Sequence, residues 1–196
     1  MLMPSGKLLV FYGVNHVHKA NNARKLVELI KQNGNKAELV EYPNYSLAPS
    51  GFYIDQALRA KLKLREEELQ IWFALNRFQY QPVLEKKLSD GTHIIAKDYI
   101  GTAIAWAMAK GVEKDWVEKL NSVVLKEDAA ILLDSKLFLG GSAERTYGDY
   151  ALIERVRRNL LELAAERGWI VIDSNRGEQE VFADVVRAAE NLKIIS

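Results

Sequence analysis

Cysteine is absent from the 196 residues, and with it go disulfides, thiolate zinc sites, iron–sulfur clusters and a thiol nucleophile. Proline is scarce, with 4 residues, and 12 glycines are an ordinary number, so neither a low-complexity linker nor a collagen-like repeat fits. Charge of one sign is also lacking: 27 Lys and Arg stand against 26 Asp and Glu, a formal net charge of +1. No global field draws the chain to nucleic acid, acidic lipid or a polyacidic partner, so any binding must come from a local site. No apolar run approaches the roughly 20 residues of a membrane helix, and Met1 to Gly6 has no signal-peptide core. These absences predict a cytoplasmic protein with neither a membrane nor a nucleic-acid partner.

What is present is globular in character, with 48% apolar and 27% charged residues, and the length suits one domain over residues 1–196. The run Leu8 to Tyr12, closed by Gly13, has the length and bulk of a fully buried strand. Lys19 to Lys31 carries apolar residues at helical spacing and stops at Asn33-Gly34-Asn35. A second strand fits Ala37 to Tyr42, ended by Pro43, which has no N–H to donate. After a turn-rich stretch from Asn44 to Gly51, helical patterning runs from Asp55 to Leu64 and again from Arg65 to Leu88. Further strands fit Thr92 to Ala96, Ala129 to Leu133 and Trp169 to Ile172. Helices fit Ile100 to Ala109, Trp116 to Val124, Tyr150 to Arg167 and Glu178 to Leu192.

Five short apolar strands alternating with helical segments predict an α/β fold: an open five-stranded parallel sheet flanked by helices. Ligands of such sheets bind beyond the carboxyl ends of the strands, so the residues after Tyr12, Tyr42, Ala96 and Leu133 should surround any site.

The loop Gly13-Val14-Asn15-His16-Val17-His18-Lys19-Ala20 stands where a phosphate-binding loop would. A working loop reads Gly-x-x-x-x-Gly-Lys-Ser/Thr, with the second Gly letting the backbone wrap phosphates and the hydroxyl holding Mg²⁺. Gly13 and Lys19 keep their spacing here, but His18 replaces the glycine and Ala20 the hydroxyl residue. A side chain at a position that favours positive φ costs about 1 kcal/mol and crowds the phosphate. His16 and His18 are two ligands at most, short of the three or four a zinc site needs, so no metal site is predicted. No Gly-x-Ser-x-Gly elbow follows a strand, which argues against a serine hydrolase.

Along nearly its whole length the chain resembles the thymidylate kinase family of P-loop nucleoside monophosphate kinases. Lys7 to Gly13, Lys19 and the helix to Gly34 are similar to that family's first strand, phosphate loop and first helix. Phe73-Ala74-Leu75-Asn76-Arg77-Phe78 resembles its segment beside the acceptor base. Lys97-Asp98-Tyr99 with Ile104-Ala105-Trp106 matches the place of its Asp-Arg-Tyr motif and of the Ile-Ala-Tyr downstream of it. Ala130 to Asp134 and Ile153 to Ala164 resemble the strand before the lid and the helix after it, and Val171-Ile172-Asp173 with Glu180-Val181 resembles the closing strand and helix. The resemblance implies the P-loop kinase fold, a homodimer through the long central helices, and a lid-like segment at about residues 135–150.

It also implies site residues. Phe73 would stack on a base, Arg77 would reach the base edge, Tyr99 would lie under the sugar, and Arg145 in the lid would face phosphate. Lys19 would meet an anion at a helix N-terminus. The departures fall on the chemistry. Asn15 stands where the family carries an acid, Lys97-Asp98 reverses its Asp-Arg pair, and Asn44-Tyr45 occupies the stretch of its phosphate-holding Arg. Two readings stay open: a thymidylate kinase-like protein with impaired or lost catalysis, kept for nucleotide binding or assembly, or an active kinase (ATP and dTMP to ADP and dTDP) with an atypical loop. Mg and ATP are implied only by the second, in which Lys19 and Arg145 would be catalytic.

Overall fold

The structure, a computed structural model, describes residues 6–14, 18–136 and 150–195. Five strands, β1 (Leu8–Tyr12), β2 (Ala37–Glu41), β3 (His93–Lys97), β4 (Ala129–Asp134) and β5 (Ile170–Asp173), form one parallel sheet in the order β2-β3-β1-β4-β5. The described helices are α1 (Lys19–Gln32), α2 (Ser50–Leu58), α3 (Glu66–Ser89), α4 (Ile100–Ala109), α5 (Lys114–Leu120), α6 (Tyr150–Arg167) and α7 (Glu178–Asn191). The sheet is the one the strand pattern predicts.

Hydrophobic patterning explains the strand order. Every residue of β1 is buried, as a strand covered by helices on both faces requires, and β1 lies centrally with Val10 opposite both Ala96 and Ala130. The outer strands are less completely covered: Glu38 and Glu41 of β2 and Val171 of β5 reach solvent. Helix α4 is apolar nearly all round and is buried against α6, α5 and α3. Ile100 and Ile104 are therefore interior.

Close packing ties the carboxyl end of β1 to α4. Tyr12 stacks on Trp169 with ring centroids 4.1 Å apart, and its hydroxyl donates to Glu127 Oε1 at 2.9 Å while accepting the Gly101 N–H at 3.2 Å. A Cβ on Gly101 would lie 2.4 Å from the Trp169 ring, so only glycine lets α4 come this near.

Two helices differ from the expectation, and the one expected from Trp116 to Val124 runs from Lys114 to Leu120. The helix expected from Asp55 to Leu64 runs instead from Ser50 to Leu58. It begins directly after Pro49, whose ring suits a helix start. It ends because Ala60 adopts φ 56° while the N–H groups of Lys61 and Leu62 turn back to the Gln56 carbonyl.

Candidate functional site

Beyond the carboxyl ends of β2 and β3, between α3 and α4, lies a cleft of about 410 Å³, within the range of small-molecule sites. Phe73, Arg77, Lys97, Asp98 and Tyr99, picked from the sequence as acceptor-binding residues, all line it. Parallel β-strands deliver Lys97 to Tyr99 and Tyr42 to its floor, and α3 presents Phe73 and Arg77 one turn apart. Tyr99 is buried, donates to the Leu125 carbonyl at 2.8 Å and packs against Tyr42 at 5.0 Å between centroids.

Arg77 is neither on the surface nor solvated. It is 3% exposed, and its Nε and Nη2 both donate to Asn121 Oδ1, at 3.0 and 2.7 Å. Burial pushes its pKa down to about 10. The partner is a neutral amide, so the positive charge in the cleft wall is not cancelled by a carboxylate.

The phosphate-like loop is shaped but occupied by its own contacts. His18 holds φ 56° and ψ 26°, a left-handed conformation, directly before α1, and its side chain is exposed. That is the backbone the motif assigns to glycine. Lys19 is buried, and its Nζ donates to the Gly13 carbonyl and, at 3.3 Å, to the Val14 carbonyl. The same Nζ lies 3.1 Å from Asp98 Oδ1, which also accepts the Thr102 hydroxyl at 2.9 Å. Ala20 sits in the first turn of α1 with no hydroxyl. Beside it, Glu178 at the start of α7 accepts from Asn21 and, at 2.6 Å, from Lys25.

The remaining cations of the cleft are also paired. Lys97 Nζ lies 3.3 Å from Glu41 and Lys110 Nζ 2.7 Å from Glu66. Asn15, His16, Arg145 and nearly all of the lid-like segment fall outside the described residues. Among the described residues, no group of three or more His, Asp and Glu side chains is arranged to hold a metal ion. No helix of the described residues is long and apolar enough to cross a membrane. His93 is half-buried and accepts the Lys7 N–H at 3.2 Å.

Three groups in or behind the cleft were not singled out from the sequence. Asn76, fully buried, binds both backbone groups of Asn44 and donates to Ser50 Oγ at 2.8 Å; it positions the loop after β2. Gln70 is 1% exposed and donates from Nε2 to Glu66 at 2.7 Å, leaving its Oε1 without a partner. The buried Tyr42 hydroxyl lacks a partner too. The signal was available: Asn76 is seven residues after buried Leu69 and so shares its helical face, where a polar side chain implies a buried hydrogen bond.

A larger cleft of about 510 Å³ lies at the amino ends of β4 and β5. Its carboxylates are already engaged: Glu118 with Arg167 at 2.6 Å, Asp128 with the Leu8 N–H at 2.7 Å, and Glu127 with Tyr12. An open parallel sheet binds ligands at the opposite edge, so the smaller cleft is the candidate.

Residues 11–185 match the family model described as thymidylate kinase. The chain is 27% identical over 194 residues to a thymidylate kinase of Danio rerio, covering 95% of this chain and 91% of that one. It is 26% identical over 187 residues to one of Homo sapiens, covering 92% and 88%. Among solved structures, a thymidylate kinase from Candida albicans superposes with a TM-score of 0.83 at 21% identity, over 97% of this chain and 93% of that one. That likeness shows the fold.

Proposed function

The chain belongs to the thymidylate kinase family, and from that premise we propose that it keeps the family's acceptor cleft for a nucleoside- or nucleotide-class ligand while phosphoryl transfer is impaired. The observation that carries this reading is the state of Lys19. Its ammonium already has two loop carbonyls and the Asp98 carboxylate as partners. Catalysis of phosphoryl transfer is almost wholly positioning and charge stabilisation, and a cation held by an internal carboxylate supplies little of either.

Mg-ATP, the pair the family implies, does not fit the residues that begin α1. His18 places a Cβ and an imidazole where the backbone turns left-handed, Ala20 offers no oxygen, and Glu178 adds negative charge beside the helix N-terminus. The acceptor side is better kept, since Phe73, Arg77 and Tyr99 share one cleft. A homodimer belongs to the same reading: Ile71 and Phe78, seven residues apart on α3, are 47% and 50% exposed, and a stripe of this kind suits a helix–helix contact.

The test is ADP release from Mg-ATP by the purified protein with a panel of nucleoside monophosphates including dTMP, beside a His18→Gly/Ala20→Thr variant. No turnover by the unmodified protein, with ATP binding gained by the variant, is expected. Turnover of about 1 s⁻¹ or faster by the unmodified protein overturns the reading in favour of an active kinase with an atypical loop.

A further inference from the structure

Arg77 is a cleft cation whose charge the protein leaves standing. Each carboxylate among the described residues that line the cleft is matched by a lysine: Glu41 by Lys97 at 3.3 Å, Glu66 by Lys110 at 2.7 Å and Asp98 by Lys19 at 3.1 Å. Arg77 has an amide instead, Asn121 Oδ1, which takes both Nε and Nη2. A guanidinium stays charged at any ordinary pH, and a buried charge beside a neutral partner still lacks its counter-charge. With the three pairs cancelled, one positive charge remains on a buried side chain of the cleft wall.

The Asn121 amide is fixed from both sides. Asn121 caps the carboxyl end of α5, where its Nδ2 donates to the Val117 carbonyl at 2.8 Å. A carbonyl only accepts and a guanidinium only donates, so the amide nitrogen must face Val117 and the oxygen must face Arg77. Asn121 is itself buried, and its backbone N–H bonds to the same carbonyl at 3.1 Å, which leaves the side chain little room to turn. With Nε and Nη2 held along one edge, Nη1 is the guanidinium nitrogen that has no partner among the described residues, and it is not one of the buried unpaired atoms. On a residue that lines the cleft, Nη1 is the group offered to a ligand. Phe73 lines the same cleft one helical turn before Arg77, so a flat ring laid against Phe73 turns its edge to the guanidinium.

We infer that Asn121 is a positioning residue of the cleft: by aiming Arg77 without neutralising it, Asn121 makes the cleft prefer a base whose edge carries a carbonyl oxygen over one that carries an amino group. A carbonyl oxygen receives a charge-assisted bond from Nη1, whereas an amino group meets it donor to donor. The inference rests on the cleft being the acceptor pocket, as proposed above, and adds the residue that tunes it.

The test is calorimetric titration of the full chain with dTMP and dUMP beside dCMP, and with dGMP beside dAMP. In the tighter-binding set the carbonyl-bearing nucleotide is expected to bind about tenfold more tightly than its amino-bearing counterpart. Asn121→Asp keeps an oxygen on Arg77 and adds the missing negative charge, so it should cut that preference about threefold or more. The ratio within a set cancels the repulsion that the new charge exerts on every phosphate. Asn121→Ala, which leaves Arg77 unheld, should cut the preference likewise, with thermal unfolding of both variants still cooperative. A ratio that stays the same in both variants, or loss of cooperative unfolding in both, makes Asn121 a purely structural residue and overturns the inference while the acceptor-pocket reading stands. An unmodified protein that binds the amino-bearing nucleotide as well or better has the same meaning, and no binding by any of the five nucleotides overturns both.

Discussion

Asn76 and Asn44 hold each other through both faces of an amide: Asn76 Oδ1 accepts the Asn44 N–H at 2.7 Å, and its Nδ2 donates to the Asn44 carbonyl at 2.9 Å. A side chain here takes the place of a strand partner. It pins the loop after β2 to α3, and Gly51 lets that loop lie close, since a Cβ there would meet the Tyr45 carbonyl at 2.4 Å.

Replacing Asn76 by Leu keeps the volume and leaves the Asn44 backbone groups and the Ser50 hydroxyl unpaired. The variant should lose about 3 kcal/mol of stability, which for a chain of this size lowers Tm by about 6–12 °C. Urea and thermal unfolding measure this, and a loss below about 1 kcal/mol would mean that the loop finds other partners.

Tyr42→Phe removes the unpaired buried hydroxyl and nothing else. The protein should become about 1 kcal/mol more stable. A variant less stable than the parent would show that the hydroxyl is satisfied in solution.

Burial first, and the nearby Lys7 second, hold the His93 imidazole below its ordinary pKa, and the Lys7 N–H donates to its unprotonated Nδ1. The unfolded chain therefore takes up this proton first as pH falls. The stability contributed by neutral His93 is complete above about pH 6.5 and is lost as pH drops through the lower folded value. Urea midpoints at neutral and mildly acidic pH should fall more steeply for the parent than for His93→Gln; parallel slopes refute the assignment.

Phe78→Glu puts a charge on the exposed stripe of α3. Light scattering at micromolar concentration should give a dimer for the parent and a monomer for the variant, with unchanged circular dichroism. A monomeric parent removes the dimer from the proposed function.

The sheet was legible because its central strands are short apolar runs and its helices carry clear periodicity; α4 and α6 begin and end where the spacing put them. Helix α2 was displaced because turn formers at Pro49 and Ser50 start a helix as readily as they make a loop. In the site, Phe73, Arg77, Lys97, Asp98 and Tyr99 were implied by the resemblance to the family, and the fold gathers them along one cleft. Their pairing was not legible. Whether Lys19 reaches outward or back to Asp98, and whether Arg77 meets solvent or Asn121, depends on contacts over long sequence separations that no local pattern encodes. Gln70 and Tyr42 escaped notice because an unpaired atom is visible only once every neighbour is placed.

His18 also bears on how the loop can change. A non-glycine residue in the left-handed region is held there at a cost of about 1–2 kcal/mol, and the backbone at φ 56° is already what glycine adopts without penalty. Exchange to glycine thus moves the fold downhill while opening room at the helix N-terminus. Most gains of chemistry erode stability; at this position the stability–activity trade-off runs in reverse, and a thermal shift of His18→Gly alone reads it without any substrate.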